Sequence, residues 1–337
     1  MGHLVTLIPG DGIGPEVAEA AVQVINATGV NIQWESVELS SSRIKATGES
    51  VPADVIASLE KTKVGLKGPV TTPVGGGFQS VNVALRKRLD LYANVRPVKS
   101  MPGIHTRFDD LALDMVIFRE NTEDLYAGLE HEVVVDVVTS IKVITRTASA
   151  RIARAAFVFG SRHLRKKVTA IHKANIMKLS DGLFLKCCRE IALDYPHLKY
   201  NELIVDNASM QLVTRPEQFD ILLLPNLYGD IISDLAAGLV GGLGVVPGAN
   251  MGDHHAVFES VHGSAPDIAG KGLANPTALL RSSVMMLEHL KEFDAAKALQ
   301  EALEKTYREG DSLTPDVGGT ANTSQFAQSI IRNLKQS

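Results

Sequence analysis

Short β-rich runs alternating with longer stretches of helical period narrow the choice of fold more than any other feature of the chain. Residues 4–8 form an apolar run, and Pro15 then opens a stretch in which Val17, Ala20, Ala21, Val24 and Ile25 keep a helical spacing. Proline suits the first turn of a helix, where its missing N–H is not needed. Residues 32–37 read as a strand, 52–61 as a helix and 64–66 as a strand. Residues 115–118, 168–172, 203–205 and 221–224 continue as strands with helical sequence nearby, and 278–334 is helix-rich. Alternation of this kind buries its apolar faces by laying helices over a sheet, so an α/β chain is expected. One stretch departs from it. Residues 132–145 are rich in Val, Ile and Thr without helical period, and predict a hairpin or extended arm. A lone hairpin is only marginally stable in water, so packing against a second subunit is expected for it.

The 337 residues are enough for two domains, and no internal repeat or linker separates them. A net charge of −4 implies no particular partner. The basic stretch 162–167 is short and broken by apolar residues, so no nucleic-acid surface is expected. No window reaches the ~18 apolar residues of a membrane span. Cys187 and Cys188 are adjacent, which fits neither a zinc site nor a disulfide, and points to a reducing compartment such as the cytoplasm.

The glycines invite a nucleotide site that they do not support. Gly10, Gly12 and Gly14 follow a strand and precede a helix, but their spacing is not G-x-G-x-x-G, and Pro15 occupies the helix start. A tight strand-to-helix turn is the better reading. Gly75, Gly76 and Gly77 are not followed by the Gly-Lys-Ser/Thr of a P-loop.

Chemistry concentrates in three other segments. In NLYGDIISDL (226–235), an apolar strand precedes and a helix begins, so Asp230 and Asp234 project from one helix face about 5–6 Å apart. Two like charges at that spacing repel unless a cation or a basic group sits between them, the plainer reading being acids that complement a helix N-terminus; if a cation is held, oxygen donors suit Mg²⁺ or Mn²⁺ rather than zinc. Arg119 follows the strand 115–118 and Arg96 the apolar run 89–93, where strand ends of an open α/β sheet line a crevice, and Arg86 closes the pattern Ser80-x-Asn82-x-x-x-Arg86. Several guanidinium forks converging there suit a ligand with several carboxylates. Lys173 ends another strand among apolar residues and is a candidate base, or equally a structural ion-pair partner.

Together these segments resemble the isocitrate/isopropylmalate dehydrogenase family, from Thr6 to about Ser329. The resemblance rests on NLYGDIISDLAAGLVGGLG (226–244), RENTEDLYAGLE (119–130) and HKANIMK (172–178). It implies two α/β domains with a cleft between them and no Rossmann fingerprint. Residues 1–91 with 241–337 would form the large domain, and 92–240 the small one, with a dimerisation arm near 132–145. Within the family SVNVALR (80–86) looks like the isocitrate type, because Ser80 and Asn82 can hydrogen-bond a carboxylate where isopropylmalate enzymes place apolar residues. The resemblance therefore implies NAD-linked oxidative decarboxylation of isocitrate. The alternatives are a homoisocitrate or 3-isopropylmalate dehydrogenase, or a non-catalytic subunit of a heteromeric dehydrogenase.

The same resemblance assigns roles. Ser80, Asn82, Arg86, Arg96 and Arg119 would bind the tricarboxylic acid. Asp206, Asp230 and Asp234 would hold Mg²⁺ or Mn²⁺, with Lys173 as base and Tyr126 as acid. Thr72, His262, Gly263, Ser264, Ala265, Asp267, Ile268 and Asn275 would bind NAD. Asp267 stands where members using the phosphorylated cofactor carry a lysine, and a carboxylate there favours ribose hydroxyls over a 2′-phosphate. Lys173 and Asp206 would reach in from a neighbouring subunit, making a homodimer or higher homo-oligomer with shared sites. A cytoplasmic location is expected, or the mitochondrial matrix for a processed eukaryotic chain.

Overall fold

The computed structural model describes residues 2–71 and 80–336. Thr72 and the glycines at 75–77 lie outside the described residues. The elements run β1 (His3–Ile8), α1 (Gly14–Ala27), β2 (Ile32–Ser36), α2 (Ser41–Thr47), α3 (Ala53–Thr62), β3 (Val64–Lys67) and α4 (Val81–Arg88). There follow β4 (Ala93–Lys99), β5 (Asp114–Glu120), β6 (Glu130–Val134), β7 (Val137–Ser140), α5 (Arg146–Arg162), β8 (Lys167–His172) and α6 (Ser180–Ala192). The remainder is β9 (Lys199–Ile204), α7 (Val205–Thr214), β10 (Ile221–Leu224), α8 (Asn226–Leu239), β11 (Pro247–Met251), β12 (Ala256–Ser260), α9 (Thr277–His289), α10 (Phe293–Glu309) and α11 (Thr323–Leu334).

The α/β class expected from the alternation is the one observed. Ten strands form one sheet in the order β2-β1-β3-β12-β11-β4-β5-β10-β8-β9. Pairing is parallel in both outer parts and antiparallel in the middle, where β11 meets β12 and β4, and β4 meets β5. Helices cover both faces, as parallel strands require. On one face α1, α9, α10 and α11 enclose Val17, Leu279, Leu303 and Phe326, while α5 and α6 bring in Phe157 and Phe184. On the other, α2, α3 and α4 bury Ile44, Leu59 and Leu85, and α7 and α8 bury Leu212 and Ile232.

Two boundaries differ from the sequence reading. Residues 203–205 were expected to be a strand, but pairing with β8 runs along 199–204 and Val205 already opens α7. The arm is a two-stranded hairpin of β6 and β7, exposed along both strands, and begins at Glu130. It ends at Ser140, because Thr145 is needed as the N-cap of α5, its side chain accepting from the Ala148 N–H.

Candidate active site

The period of two in the middle strands gives the sheet an apolar side and a polar side. Phe118, Val95, Ala249, Phe258 and Leu66 stand opposite one another across five strands. One residue along, Arg119, Asn94 and Asn250 form the matching row on the other face, with Glu259 opposite Lys67 nearby. That polar strip lies between α4, which carries Asn82 and Arg86, and α8, which carries Asp230 and Asp234.

Arg86, Arg96 and Arg119 are all buried. The expectation that Arg96 and Arg119 follow their strands needs correction. Both lie within strands, because β4 and β5 pair over seven residues and carry the ladder past the apolar runs. Arg119 Nε donates to Asn226 Oδ1 at 2.9 Å, and its Nη1 donates to Asp230. Arg96 Nη1 donates to Ser233 Oγ at 2.6 Å and to Asp234 at 3.1 Å, and its Nη2 lies 3.8 Å from Asp230. The Tyr126 hydroxyl donates to the other oxygen of Asp230, under a ring that Arg119 faces at 5.1 Å. Gly229 makes this possible, since a Cβ there would sit 2.4 Å from Arg119 Cγ.

Burial, and then repulsion from Arg86, push the Arg119 guanidinium down to about 10 and lower Arg96 as well. Burial also works against the charged form of Asp230, but Arg119, the Tyr126 hydroxyl, Arg96 and Arg86 outweigh it and hold the carboxyl below its ordinary value. For Tyr126, burial and then the bond to Asp230 raise the phenol. Among the described residues Arg86 Nε, Arg96 Nε, Arg119 Nη2 and Asn82 Oδ1 are buried without a hydrogen-bond partner. Buried polar groups are rarely left so, and four facing one strip mark a ligand-binding surface.

A cavity of about 140 Å³ opens on this strip, lined by Asn82, Arg86, Arg96, Glu259, His262 and Gly263 among others. The turn from β12 therefore meets Arg86 and Arg96, bringing Asn82 and these two arginines beside His262 and Gly263, while Arg119 and the rest of the expected cofactor loop do not line this cavity. Its backbone is braced from below. Ser264 accepts a 2.9 Å bond from the Ile13 N–H, and a Cβ on Gly12 would fall 1.9 Å from the same carbonyl oxygen. The Gly10–Gly14 turn thus supports the loop. His262 is lowered by burial, and its Nε2 reaches no partner among the described residues. Asp267 is exposed, while Ala265 and Ile268 are half-buried in the same loop. Asn275 is occupied internally, donating to Tyr307 at 3.2 Å and to Asp316 at 3.0 Å. Ser80 stands at the head of α4, with its carbonyl accepting from the Ala84 N–H at 2.9 Å.

Lys173 and Asp206 pair with each other at 2.9 Å, and that bond lowers the Asp206 carboxyl. Among the described residues no group of three His, Cys, Asp or Glu side chains is placed to hold a metal. Asp206 is therefore not assembled with Asp230 and Asp234 within one chain.

Sequence reasoning missed the support beneath Arg86. Glu259 accepts from Lys67 at 2.6 Å, from Asn250 at 2.6 Å and from Arg86 at 3.3 Å, and these partners hold its buried carboxylate far below the usual range against the cost of burial. The signal was present as a polar residue at alternate positions in apolar runs, at Asn94, Asn250 and Glu259.

Glu123 lies behind this site, its carbonyl accepting from Asn226 Nδ2 at 3.0 Å and its side chain from the Thr145 N–H at 2.9 Å. Burial raises its carboxyl to about 7. The folded state then binds more protons than the unfolded one between roughly pH 4.3 and 7, so this group's contribution to stability falls as pH rises through that window. Glu123→Gln is expected to remove that part of the pH dependence. Melting temperatures at pH 5 and pH 8 check it, and an equal drop in both proteins would contradict it.

An α/β sheet with a buried guanidinium cluster on one face, facing a glycine-containing loop and a two-aspartate helix, defines a class of protein that binds a small polyanion. Residues 4–330 match the family model described as isocitrate/isopropylmalate dehydrogenase, and the chain belongs to that family. It is 54% identical over 98% of its length to the catalytic subunit 5 of mitochondrial NAD isocitrate dehydrogenase from Arabidopsis thaliana, covering 88% of that protein. Over 90% of its length it is 55% identical to the chloroplastic 3-isopropylmalate dehydrogenase of Solanum tuberosum, covering 85% of it. The crystal structure of isocitrate dehydrogenase from Methylococcus capsulatus superposes with a TM-score of 0.95 at 50% identity, covering 99% of this chain and all of that one.

Proposed function

We propose that this chain oxidises isocitrate at its hydroxyl-bearing carbon, passes the hydride to NAD⁺ and releases CO₂ to leave 2-oxoglutarate. The observation that carries the reading is the cluster of three buried guanidiniums with unpartnered donors, two of which, Arg86 and Arg96, line one cavity with His262 and Gly263. Three cations gathered against burial and mutual repulsion suit a ligand that brings three carboxylates. Arg86, Arg96 and Arg119 bind them, helped by Ser80 and Asn82.

Asp230 and Asp234, with Asp206 of the partner subunit, offer the hard oxygen donors that Mg²⁺ or Mn²⁺ prefers. Such an ion would supply charge stabilisation during oxidation and loss of CO₂. In the free chain these aspartates neutralise Arg96 and Arg119. Arg96 and Arg119 would exchange these aspartates for substrate carboxylates, leaving the aspartates to a cation, so charges would stay paired. Lys173 Nζ takes the proton of the C2 hydroxyl, and the Tyr126 hydroxyl returns one at C3.

The exposed arm supports a subunit-shared site, with Val133, Val135 and Val138 open to solvent. Ile176, Leu179, Met210 and Val213 are also exposed and lie close in sequence to Lys173 and Asp206. A dimer or higher oligomer of this chain is the assembly we favour, with partnering by a related subunit as the alternative. The strands β4, β5, β10, β8 and β9 and the arm of β6 and β7 belong to the small domain, 92–240, and β1, β2, β3, β11 and β12 to the large one, with the substrate between them. Free, buried Cys187 and Cys188 suit a reducing compartment, cytoplasmic or mitochondrial matrix.

A 3-isopropylmalate activity is the second reading, favoured by the identity with the potato protein. Asn82 argues against it, because its amide N–H can donate to a carboxylate, and an isopropyl group would leave that donor unpaired at a cost of about 1–3 kcal/mol. Asn82→Leu is therefore expected to lower kcat/KM for isocitrate by roughly ten- to a hundredfold while 3-isopropylmalate turnover holds or rises. Steady-state kinetics on isocitrate, homoisocitrate and 3-isopropylmalate decide, and a wild-type preference for 3-isopropylmalate would overturn the proposal.

Cofactor choice rests on Asp267. Asp267→Lys is expected to raise KM for NAD about tenfold or more and to bring in NADP, because the carboxylate that accepts ribose hydroxyls becomes a cation facing a 2′-phosphate. Unchanged selectivity would remove Asp267 from the cofactor site.

A further inference from the structure

Two carboxylates fully buried outside the strip just described, Asp124 and Asp181, are served by a single ammonium. Lys142 follows the arm in sequence and its side chain is only 12% exposed. Its Nζ donates to Asp181 Oδ1 at 2.6 Å, lies 3.8 Å from Asp124 Oδ1, and sits 4.4 Å from the centre of the Tyr228 ring. Each carboxylate in turn holds backbone. Asp181 Oδ2 accepts the N–H of Lys173 at 2.6 Å. Asp124 Oδ1 accepts the N–H of Leu125 at 2.9 Å, and its Oδ2 accepts that of Leu227 at 2.9 Å. Asp124 has a φ of +70°, a strained conformation for a residue with a Cβ, fixed by a β-bridge to Val143 next to Lys142.

We propose that Lys142 is a positioning residue that locks two proton-transfer side chains together, Lys173 through Asp181 and Tyr126 through Asp124. The inference rests on the dehydrogenase reading above. One ammonium thereby ties the strand end bearing Lys173 to the turn bearing Tyr126 and to the first turn of α8, which leads to Asp230. Where sites are shared between subunits, those segments serve two different sites, so Lys142 also sets their geometry relative to each other. Without the ammonium, two buried anions face each other and at least one turns away from the amide it holds. Displacements of about an ångström at a proton-transfer group are costly to rate but leave the arginine-bound substrate in place.

The test compares purified full-length wild type, Lys142→Met and the double variant Lys142→Met with Asp181→Asn. Wild-type turnover of isocitrate with NAD is measured first, and its absence would refute the dehydrogenase reading and not the Lys142 linkage. Lys142→Met is expected to lower kcat about a hundredfold with KM for isocitrate changed less than threefold, and to shift the pH profile of kcat. Removing the second charge should recover roughly tenfold of kcat, since no unpaired anion remains at Asp181. If Lys142→Met does not fold, the double variant alone decides, with an expected kcat about tenfold below wild type. Wild-type kcat and pH profile in the folded variant, or a loss confined to melting temperature, would overturn the proposal.

Discussion

Arg119→Met is expected to lower kcat/KM for isocitrate by about a thousandfold or more. Met keeps most of the stem volume, so the change is electrostatic. The side chain is 1% exposed and serves Asn226 and Asp230 at once, with Nη2 left over as a donor. Removing it deletes a charge-assisted contact to a substrate carboxylate, worth about 1.5–3 kcal/mol. It also strips Asp230 of its main counter-charge, which loosens both the Tyr126 hydroxyl and a proposed metal donor. Together these approach 4 kcal/mol, about three decades in rate. Steady-state kinetics measure the loss, and thermal unfolding of the same sample establishes that the variant is folded. A change below tenfold would take Arg119 out of the substrate site.

The second large effect concerns the subunit boundary. Lys173→Met and Tyr126→Phe are each expected to lower kcat by about 10²–10⁴, the usual worth of a positioned acid or base. In the single chain Lys173 pairs with Asp206 while Tyr126 bonds Asp230, and no three-ligand acidic group joins the two pairs among the described residues. If each site takes Lys173 from the partner subunit, a hybrid of the two variants carries one site with both defects and one with neither. Mixed and reassembled in equal amounts, the two inactive proteins should then regain about a quarter of wild-type activity, from the half of dimers that are hybrid. No recovery on mixing, with hybrid formation verified by mass, would place both residues in the same chain's site.

How much of this was legible in the residues depends on how locally each feature is encoded. The α1 helix was readable because Pro15 and the spacing of Val17, Ala21, Val24 and Ile25 act within one segment. The pairing of Asp230 and Asp234 on one face followed from helical period alone. The middle strands were harder. β11 and β12 are short, and single polar residues, Asn250 and Glu259, interrupt their apolar runs as Asn94 and Arg96 do in β4. That polarity is the site itself, since Asn94, Arg96, Asn250 and Glu259 face the cavity strip. Arg119 and Arg96 were found as residues but misplaced at strand ends, because strand length is set by partners distant in sequence. Glu259 stands out in its apolar run, but its partner Lys67 is 192 residues away and cannot be read locally. Individual roles came from resemblance to a family, and spacing alone supported only a carboxylate-binding cleft with a cation site.

The dehydrogenase reading stands or falls on one activity matrix. Purified chain is assayed with isocitrate or 3-isopropylmalate, with NAD or NADP, in the presence of Mg²⁺, of excess EDTA, and of EDTA followed by excess Mg²⁺. The account predicts reduction of NAD with isocitrate, equimolar 2-oxoglutarate, loss of activity with EDTA and its return with Mg²⁺. Turnover of 3-isopropylmalate in preference to isocitrate, or isocitrate oxidation that persists at full rate under EDTA, would contradict it.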